Sequence, residues 1–260
     1  MRMASSPPLI TLLTDFGAGS GYPAQMKGVI LAARPDARIV DITHEVPQFD
    51  ILAGALLLEA SARWFPAEAV HVAVVDPGVG TARRAICVVD GAGRRYLGPD
   101  NGIFTPFLDG DGARVVQLAN PTMVPQGLSA TFHGRDLFAP VAAWLAAGGA
   151  VDALGPTIGD PVRLPWPVAQ RDGQVVHGEV VWADTFGNLV TSIRAADLGG
   201  ATPLVEVAGH EARFVRTYGD GAPGDLLALI GSGGRLEIAV REGSAERVLG
   251  TGVAVKATLP

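Results

Sequence analysis

The stretch LITLLTDFGAGSG, residues 9–21, sets the architecture that the first half of the chain follows. Its apolar run, residues 9–14, is typical of a buried strand, and Asp15 with the glycines after it predicts a turn before the next helical segment. In open α/β sheets, ligands bind beyond the carboxyl ends of the strands. A strand that ends in a carboxylate and then turns on glycine therefore predicts one edge of a ligand site.

Short apolar runs alternate with helical segments up to about residue 147, which predicts an α/β domain with a largely parallel central sheet covered by helices. The other predicted strands are residues 38–42, 70–75, 85–89 and 115–118. The predicted helices are residues 24–34, 51–65 and 137–147, with Asp50 and Asp136 as N-caps of the last two. We assign this N-terminal domain to residues 1–166.

A change of composition predicts a second domain. Glycine and proline cluster after residue 147, and the segment DPVRLPWP, residues 160–167, is too rich in proline for a helix or a strand, so we place a linker at about residues 148–172. Residues 173–260 are predicted to form a smaller all-β, barrel-like domain, because short β-rich runs follow one another closely between glycines and aspartates. These runs are residues 174–182, 189–193, 203–207, 212–215, 226–230 and 236–240.

The composition limits the kinds of partner that the protein is expected to bind. The 260 residues carry a net charge of −6, which argues against nucleic acid and favours a small-molecule ligand. No segment approaches the roughly 20 apolar residues that cross a bilayer, and residues 1–8 lack the apolar stretch of a signal peptide, so we expect a cytoplasmic protein. Cys87 is the only cysteine, which excludes an internal disulfide and a thiolate zinc cage, and its apolar neighbours predict a buried thiol.

The glycine-rich turn itself has two interpretations. DFGAGSG, residues 15–21, matches the D-x-G-x-G-x-G loop of Rossmann-type methyltransferases, and Asp41 lies where such proteins place a ribose-binding acid. A tight turn capped by Asp15 explains the same residues equally well.

Two further strand ends carry groups suited to proton transfer. Asp76 is followed by the rigid turn PGVG and then by Arg83 and Arg84, and an arginine beside a carboxylate keeps it ionised and oriented for use as a base. A structural salt bridge is the alternative. His133, in TFHGRD (residues 131–136), suits proton transfer near neutral pH, or is a hydrogen-bonded core histidine. Asp100, in PDNG (residues 99–102), has no predicted role beyond its turn.

In the second domain, DTFGN, residues 184–188, places a carboxylate, an aromatic ring and an amide on one turn. An asparagine can read an adenine edge and a phenylalanine can stack on the ring, although an Asx-type turn with a half-buried phenylalanine gives the same pattern. The turn SGGRL, residues 232–236, either cradles a charged group or only links two strands.

Seven segments, in order along the chain, together resemble the S-adenosylmethionine (SAM) hydroxide adenosyltransferases, also called adenosine-forming SAM hydrolases, which are relatives of the fluorinase and chlorinase. The segments are TDFG (14–17), DITHEVP (41–47), VDPGVGT (75–81), PDNG (99–102), TFHGRDLFAP (131–140), DTFGNLVTSI (184–193) and LEIAV (236–240). The resemblance implies hydrolysis of SAM to adenosine and L-methionine without cofactor or metal. It also implies a homotrimer whose sites lie between the N-terminal domain of one subunit and the C-terminal domain of the next.

The resemblance also implies roles for individual residues. It assigns catalysis to Asp76, Arg83 and His133. It assigns ribose binding to Asp15, and the remaining substrate contacts to Phe49, Asp184, Phe186, Asn188 and Ser232.

Departures from the halogenating relatives bear on the nucleophile. Where those relatives have a tyrosine, a threonine and a serine in their halide pocket, this chain has Asp76, Val79 and Gly134, which favours water over halide. Gly233 stands in place of an arginine for the methionine carboxylate, and Ser20 in place of an acid.

Other functions remain open at this point. A SAM-dependent halogenase, a methyltransferase and a non-catalytic SAM-binding oligomer would all bind the same ligand. A metal-dependent phosphoesterase would use oxygen and nitrogen ligands from Asp15, Asp76, Asp100, Asn101 and His133.

Overall fold

The computed structural model of the chain describes residues 7–124 and 127–260. It divides into two compact units, Met1–Pro165 and Trp166–Pro260. The prediction that residues 1–8 hold no signal peptide falls mainly on residues 1–6, outside the described residues. No helix in the described part of the chain is long and apolar enough to cross a membrane.

The described residues of the first unit form a seven-stranded sheet in the order β2-β1-β3-β5-β4-β6-β7. Its strands are β1 (Leu9–Thr14), β2 (Arg38–Thr43), β3 (Val70–Val74), β4 (Ala85–Val89), β5 (Arg95–Pro99), β6 (Arg114–Gln117) and β7 (Thr157–Ile158). The four strands β2, β1, β3 and β5 run parallel, whereas β4, β6 and β7 pair antiparallel. The parallel half brings the carboxyl ends of β1 and β3 to one edge, which is where the predicted ligand site begins.

Three helices accompany this sheet: α1 (Tyr22–Ala33), α2 (Ile51–Ala62) and α3 (Ala139–Ala146). Asp50 caps α2 as predicted, because its carboxylate accepts a hydrogen bond of 2.9 Å from the Ala53 amide. The prediction that Asp136 caps the next helix is wrong. Asp136 lies inside a π-helical turn, Gly134–Phe138, that precedes α3, and its carboxylate accepts from the Ser129 amide at 3.0 Å.

The core of the first unit is apolar and fully buried on the central strands, where all five residues of β3 are buried. Phe138 and Met26 belong to the same core cluster as the central strands. Cys87 is completely buried there, as predicted, and burial raises the pKa of its thiol to about 12.

The segment predicted as a linker, residues 148–172, is only partly irregular. It contains a 3₁₀ turn (Val151–Leu154), the short strand β7, and β8 (Gln170–Asp172). β7 forms because its residues pair with Val115 and Val116 of β6 and extend the sheet. The proline-rich residues 160–167 contain no helix or strand.

The second unit is a β-barrel, which confirms the predicted class of the C-terminal region. Its strands are β8, β9 (Val175–Ala183), β10 (Leu189–Arg194), β11 (Leu204–Val207), β12 (His210–Phe214), β13 (Leu226–Ile230), β14 (Arg235–Val240) and β15 (Ala254–Thr258). Seven strands close in the order β9-β10-β14-β13-β12-β11-β15, and β15 pairs again with β9. The long strand β9 closes the ring because one half pairs with β15 and the other with β10. The described residues of this unit also form two short α-helices, α4 (Ala195–Leu198) and α5 (Ala245–Leu249), and a 3₁₀ turn (Tyr218–Asp220).

Candidate active site

Asp76 and Arg83 form a buried ion pair just beyond the carboxyl end of β3. The intervening turn is held by hydrogen bonds that include those from the Val79 amide to the Asp76 carbonyl at 3.2 Å and from the Thr81 hydroxyl to the Gly78 carbonyl at 2.7 Å. Arg83 Nε lies 3.0 Å from both carboxylate oxygens of Asp76, and Arg83 Nη2 lies 2.5 Å from Oδ2. The two side chains are only 4% and 10% exposed, so the carboxylate is oriented by a charge-assisted fork rather than by water.

His133 joins this pair from a distant part of the sequence. Arg83 Nη2 lies 2.8 Å from His133 Nδ1. A guanidinium has only donors, so Nδ1 accepts, and the neutral imidazole then carries its proton on Nε2. Burial and the Arg83 charge lower the pKa of His133, while the carboxylates of Asp76 and Asp136 oppose that shift. The three side chains that the sequence singled out therefore form one connected group with a neutral histidine.

A glycine makes this meeting possible. Gly80 has a φ of +77°, and a Cβ atom at that position would lie 2.2 Å from the carbonyl oxygen of Ala130. The turn between Asp76 and Arg83 therefore packs, backbone against backbone, on the segment that leads to His133. A side chain at position 80 would force the two segments apart.

The π-helical turn shapes the other side of the group. His133 immediately precedes this turn, and such turns occur frequently at functional sites. A Cβ atom on Gly134 would lie 3.2 Å from Met26 Sδ and 3.2 Å from the Phe132 ring, so the wall is tightly packed without a side chain. The Arg83 guanidinium lies 5.5 Å from the ring centroid of Phe138, which adds a cation–π contact.

Asp15 and Phe49 form a second cluster in the first unit. The Phe49 amide donates a hydrogen bond of 3.0 Å to Asp15 Oδ2. Phe49 adopts a φ of 66°, a conformation that costs a non-glycine residue on the order of 1 kcal/mol or more, and its side chain is 67% exposed. The strained backbone holds an aromatic ring out in solvent beside the half-buried carboxylate, which fits a ring-stacking surface better than a core contact.

The DTFGN turn lies in the second unit, between β9 and β10. Asp184 Oδ1 accepts from the amides of Phe186 and Asn188, both at 2.9 Å, and Asn188 Nδ2 donates to Asp184 Oδ2 at 2.9 Å. The Asx-type turn is therefore present, but the accompanying expectation of a half-buried phenylalanine is wrong, because Phe186 is 78% exposed. Ser232 lies in the exposed turn between β13 and β14.

Two polar residues of the second unit, Glu237 and Tyr218, were not among the site residues predicted from the sequence. Glu237, in LEIAV, is 9% exposed, and the Tyr218 hydroxyl lies 3.3 Å from its Oε2. Burial and the nearby Asp184 charge raise the pKa of Glu237, and burial together with Glu237 raises that of Tyr218 to about 12. A single acid inside an apolar strand was the only signal in the sequence. Within residues 7–124 and 127–260, no three His, Cys, Asp or Glu side chains are grouped so that they could hold a metal ion.

Comparison with known families identifies the chain. The model of the SAM hydroxide adenosyltransferase N-terminal domain matches residues 10–155, and that of the corresponding C-terminal domain matches residues 178–257. The chain belongs to the SAM hydroxide adenosyltransferase family. The resemblance drawn from seven short motifs is thereby confirmed, and the closed barrel and the Asp76 group are features of a family member.

Several relatives of this chain have names that state an activity. A protein of Salinispora arenicola named (R)-S-adenosyl-L-methionine hydrolase is 42% identical over 94% of this chain and 95% of its own length. A protein of Thermus thermophilus with the same name is 40% identical over 93% and 95%. A fluorinase of an Actinoplanes species is 29% identical over 91% and 92%. The crystal structure of an uncharacterised conserved protein of Thermotoga maritima has a TM-score of 0.90 and 35% identity, covering 96% of this chain and 99% of the other.

Proposed function

We propose that this protein hydrolyses S-adenosyl-L-methionine to adenosine and L-methionine. The observation that carries the proposal is the buried group of Asp76, Arg83 and His133, which two loops of the first unit assemble at a sheet edge. Because relatives at 40–42% identity are named hydrolases of the (R) form, we also propose the (R) sulfonium epimer as a substrate.

The reaction needs an activated nucleophile and does not need a general acid. Attack at the ribose 5′ carbon breaks the carbon–sulfur bond and turns a cationic sulfonium into a neutral thioether, so the leaving group needs no proton. Neutral water is a poor nucleophile, and a positioned base typically contributes about 10²–10⁴-fold to such a step. Orientation and exclusion of water supply the remaining acceleration.

Asp76 is the proposed proton acceptor. The Nδ1 lone pair of His133 is engaged by Arg83, and its Nε2 already carries a proton, so the imidazole in this arrangement has no free acceptor atom. Asp76 Oδ1 accepts one hydrogen bond, from Arg83 Nε, and keeps a lone pair for the water. Arg83 then holds the carboxylate in line, and the Nε2 proton of His133 orients the water oxygen.

Water is favoured over halide at this site. Val79 and Gly134 provide no hydroxyl to replace the hydration shell of an anion. The ionised Asp76 would in addition repel a halide.

We assign the substrate contacts as the motifs imply them. Asp15 binds the ribose and Phe49 stacks on a ring. Asp184, Phe186, Asn188 and Ser232 bind the adenine and methionine parts. We also propose the homotrimer that the motifs imply, whose sites combine the N-terminal domain of one subunit with the C-terminal domain of the next. Cytoplasmic location stays a prediction.

The test is incubation of the protein with each sulfonium epimer, with and without chloride and EDTA, and identification of the nucleoside by mass. Adenosine is expected in every mixture that contains the (R) epimer. A 5′-chloro nucleoside would indicate a halogenase, S-adenosylhomocysteine a methyltransferase, loss of activity in EDTA a metal enzyme, and calorimetric binding without turnover a SAM-binding protein.

Two variants test whether Asp76 is the catalytic base. Asp76→Asn should lose nearly all turnover because the carboxylate base is gone while its shape remains. Asp152→Asn, at an exposed ion pair of the first unit, is the matched control and should retain it. Equal activity of the two variants would refute the proposed catalytic site.

A further inference from the structure

The turn PDNG, residues 99–102, to which the family resemblance assigns no catalytic or binding role, contacts the backbone next to the proposed base. Asn101 follows β5, and its Nδ2 donates a hydrogen bond of 2.8 Å to the carbonyl of Val75. Its Oδ1 accepts from the Ile103 amide at 3.2 Å, which fixes the side chain in place. Val75 is the residue immediately before Asp76, so the amide of Asn101 holds the strand end from which the carboxylate projects.

Asp100 holds the residue that follows Arg83. The Asp100 side chain is 1% exposed and accepts from Arg84 Nε at 2.7 Å and from the Val162 amide at 2.8 Å. The Asp100 amide donates to the Arg84 carbonyl at 3.0 Å. Arg84 also bonds to Asp160, through the carboxylate at 2.8 Å and the carbonyl at 2.7 Å.

These two sets of bonds converge on the ion pair of Asp76 and Arg83. The Arg84 carbonyl, held by the Asp100 amide, also accepts from Arg83 Nη1 at 3.4 Å. Every nitrogen of the Arg83 guanidinium therefore donates a hydrogen bond. Nε and Nη2 donate to Asp76, Nη2 also donates to His133, and Nη1 donates to the Arg84 carbonyl. One turn thus fixes the backbone on both sides of the pair.

We propose that Asn101 and the Arg84–Asp100 ion pair are positioning residues for the hydrolytic site. Their bonds go to the backbone on either side of the pair, to the Val75 and Arg84 carbonyls, and they act by holding Asp76 and Arg83 in register with each other and with His133. The proposal rests on the proposed function and names the residues that make its geometry precise.

A purely structural role predicts a different outcome. The bonds that Asp100 makes to Val162 and Arg84 makes to Asp160 also fasten residues 160–162 to the first unit, and the Leu164 amide donates to Thr105 Oγ1 at 2.9 Å nearby. If the contacts served only to fasten this segment, their loss would lower the melting temperature and leave the chemistry of the folded protein unchanged. A positioning role changes turnover and the protonation of His133 in protein that is fully folded.

The experiment compares Arg84→Gln, Arg84→Lys and Asn101→Ala with the matched control Arg114→Gln, whose ion pair with Asp152 lies in the same unit. Arg84→Gln leaves the buried Asp100 unpaired and destabilises the fold, so Asn101→Ala, which removes no charge, is the second route to the same answer. Folded protein is confirmed by circular dichroism before each assay. Turnover is followed by adenosine release, and the pKa of His133 by NMR of the imidazole signals, with His133→Gln used to assign its resonance.

Arg84→Gln and Asn101→Ala should each lower kcat by about 10–100-fold with KM within about twofold of wild type, because misplacement by a fraction of an ångström to 1 Å has effects of that size. Arg84→Lys should recover part of the loss. In Arg84→Gln the pKa of His133 should rise, since Arg83 lowers it in the native arrangement and Asp76 and Asp136 raise it.

Wild-type kcat in both Asn101→Ala and Arg84→Gln would overturn the proposal. So would an unchanged His133 pKa in folded Arg84→Gln. Failure of the wild-type protein to release adenosine would instead refute the proposed function, while the NMR titration would still test the positioning of Arg83.

Discussion

The close approach at Gly80 allows a sharp test of how the site is built. Replacement of Gly80 by alanine adds one methyl group, which would lie 2.2 Å from the Ala130 carbonyl oxygen. A carbon and an oxygen in ordinary contact stay about 1 Å farther apart than this. The turn that carries Asp76 and Arg83 must therefore move away from the segment that carries His133.

The magnitude follows from that displacement. A misplacement of about 1 Å at a catalytic group lowers the rate by about 100-fold, so Gly80→Ala should reduce kcat by at least that factor. The substitution also places alanine in the left-handed region, at a stability cost of about 1–2 kcal/mol. This conformational cost lowers the stability of the fold and by itself does not change kcat.

A matched glycine separates the two effects. Gly93 has a φ of +83°, similar to that of Gly80, but a Cβ atom there meets nothing within 4 Å. Gly93→Ala should show only the loss of melting temperature that comes from the left-handed backbone, with wild-type kcat in an adenosine-release assay. If Gly80→Ala also retains wild-type kcat, the backbone contact with Ala130 does not set the catalytic geometry.

Three further predictions concern individual side chains. His71 is fully buried, and burial lowers the pKa of its imidazole from 6.5 to about 4, so the unfolded chain takes up the proton first as the pH falls. This difference in the His71 pKa between the unfolded and folded states lowers the free energy of unfolding by about 3 kcal/mol between pH 6.5 and 4. The free energy measured by urea unfolding of His71→Gln should not show this fall with pH. The raised pKa of Glu237 means that its ionisation destabilises the native barrel, so Glu237→Gln should raise the melting temperature at pH 7, with no gain below the ordinary carboxyl pKa. Asn188→Ala should raise KM for SAM with little change in kcat, and an unchanged KM would contradict its binding role.

Local patterns in the sequence predicted most of the individual elements. The strand that ends at Thr14, the strand of residues 85–89 and the cap at Asp50 all lie where the pattern placed them, because alternation, burial and capping are short-range properties. β5 was missed because only Tyr96 and Leu97 form an apolar run there, between Arg95 and Gly98. The missed β15 pairs with β9, about 80 residues earlier in the chain, and such pairing leaves little local signal.

The residues of the candidate site were likewise indicated one by one by local sequence, but their connection was not. The sequence indicated Asp76, Arg83 and His133 separately, as polar residues near strand ends and turns. Their connection through one guanidinium spans 50 residues and depends on the backbone contact at Gly80, which no local pattern encodes. The role of Asn101 was hidden for the same reason, since its partner is a backbone carbonyl 26 residues away.

The shared guanidinium has an electrical consequence. The charges of Asp76 and Arg83 cancel, and His133 is uncharged, so the three residues together exert almost no force on a distant cation. A sulfonium in solution is drawn instead by the whole molecule, whose net charge is −6. Dissolved salt screens that long-range field over about 10 Å and leaves a buried ion pair nearly untouched. Ionic strength should therefore govern how fast the substrate is captured, and have little influence on how fast it reacts once bound.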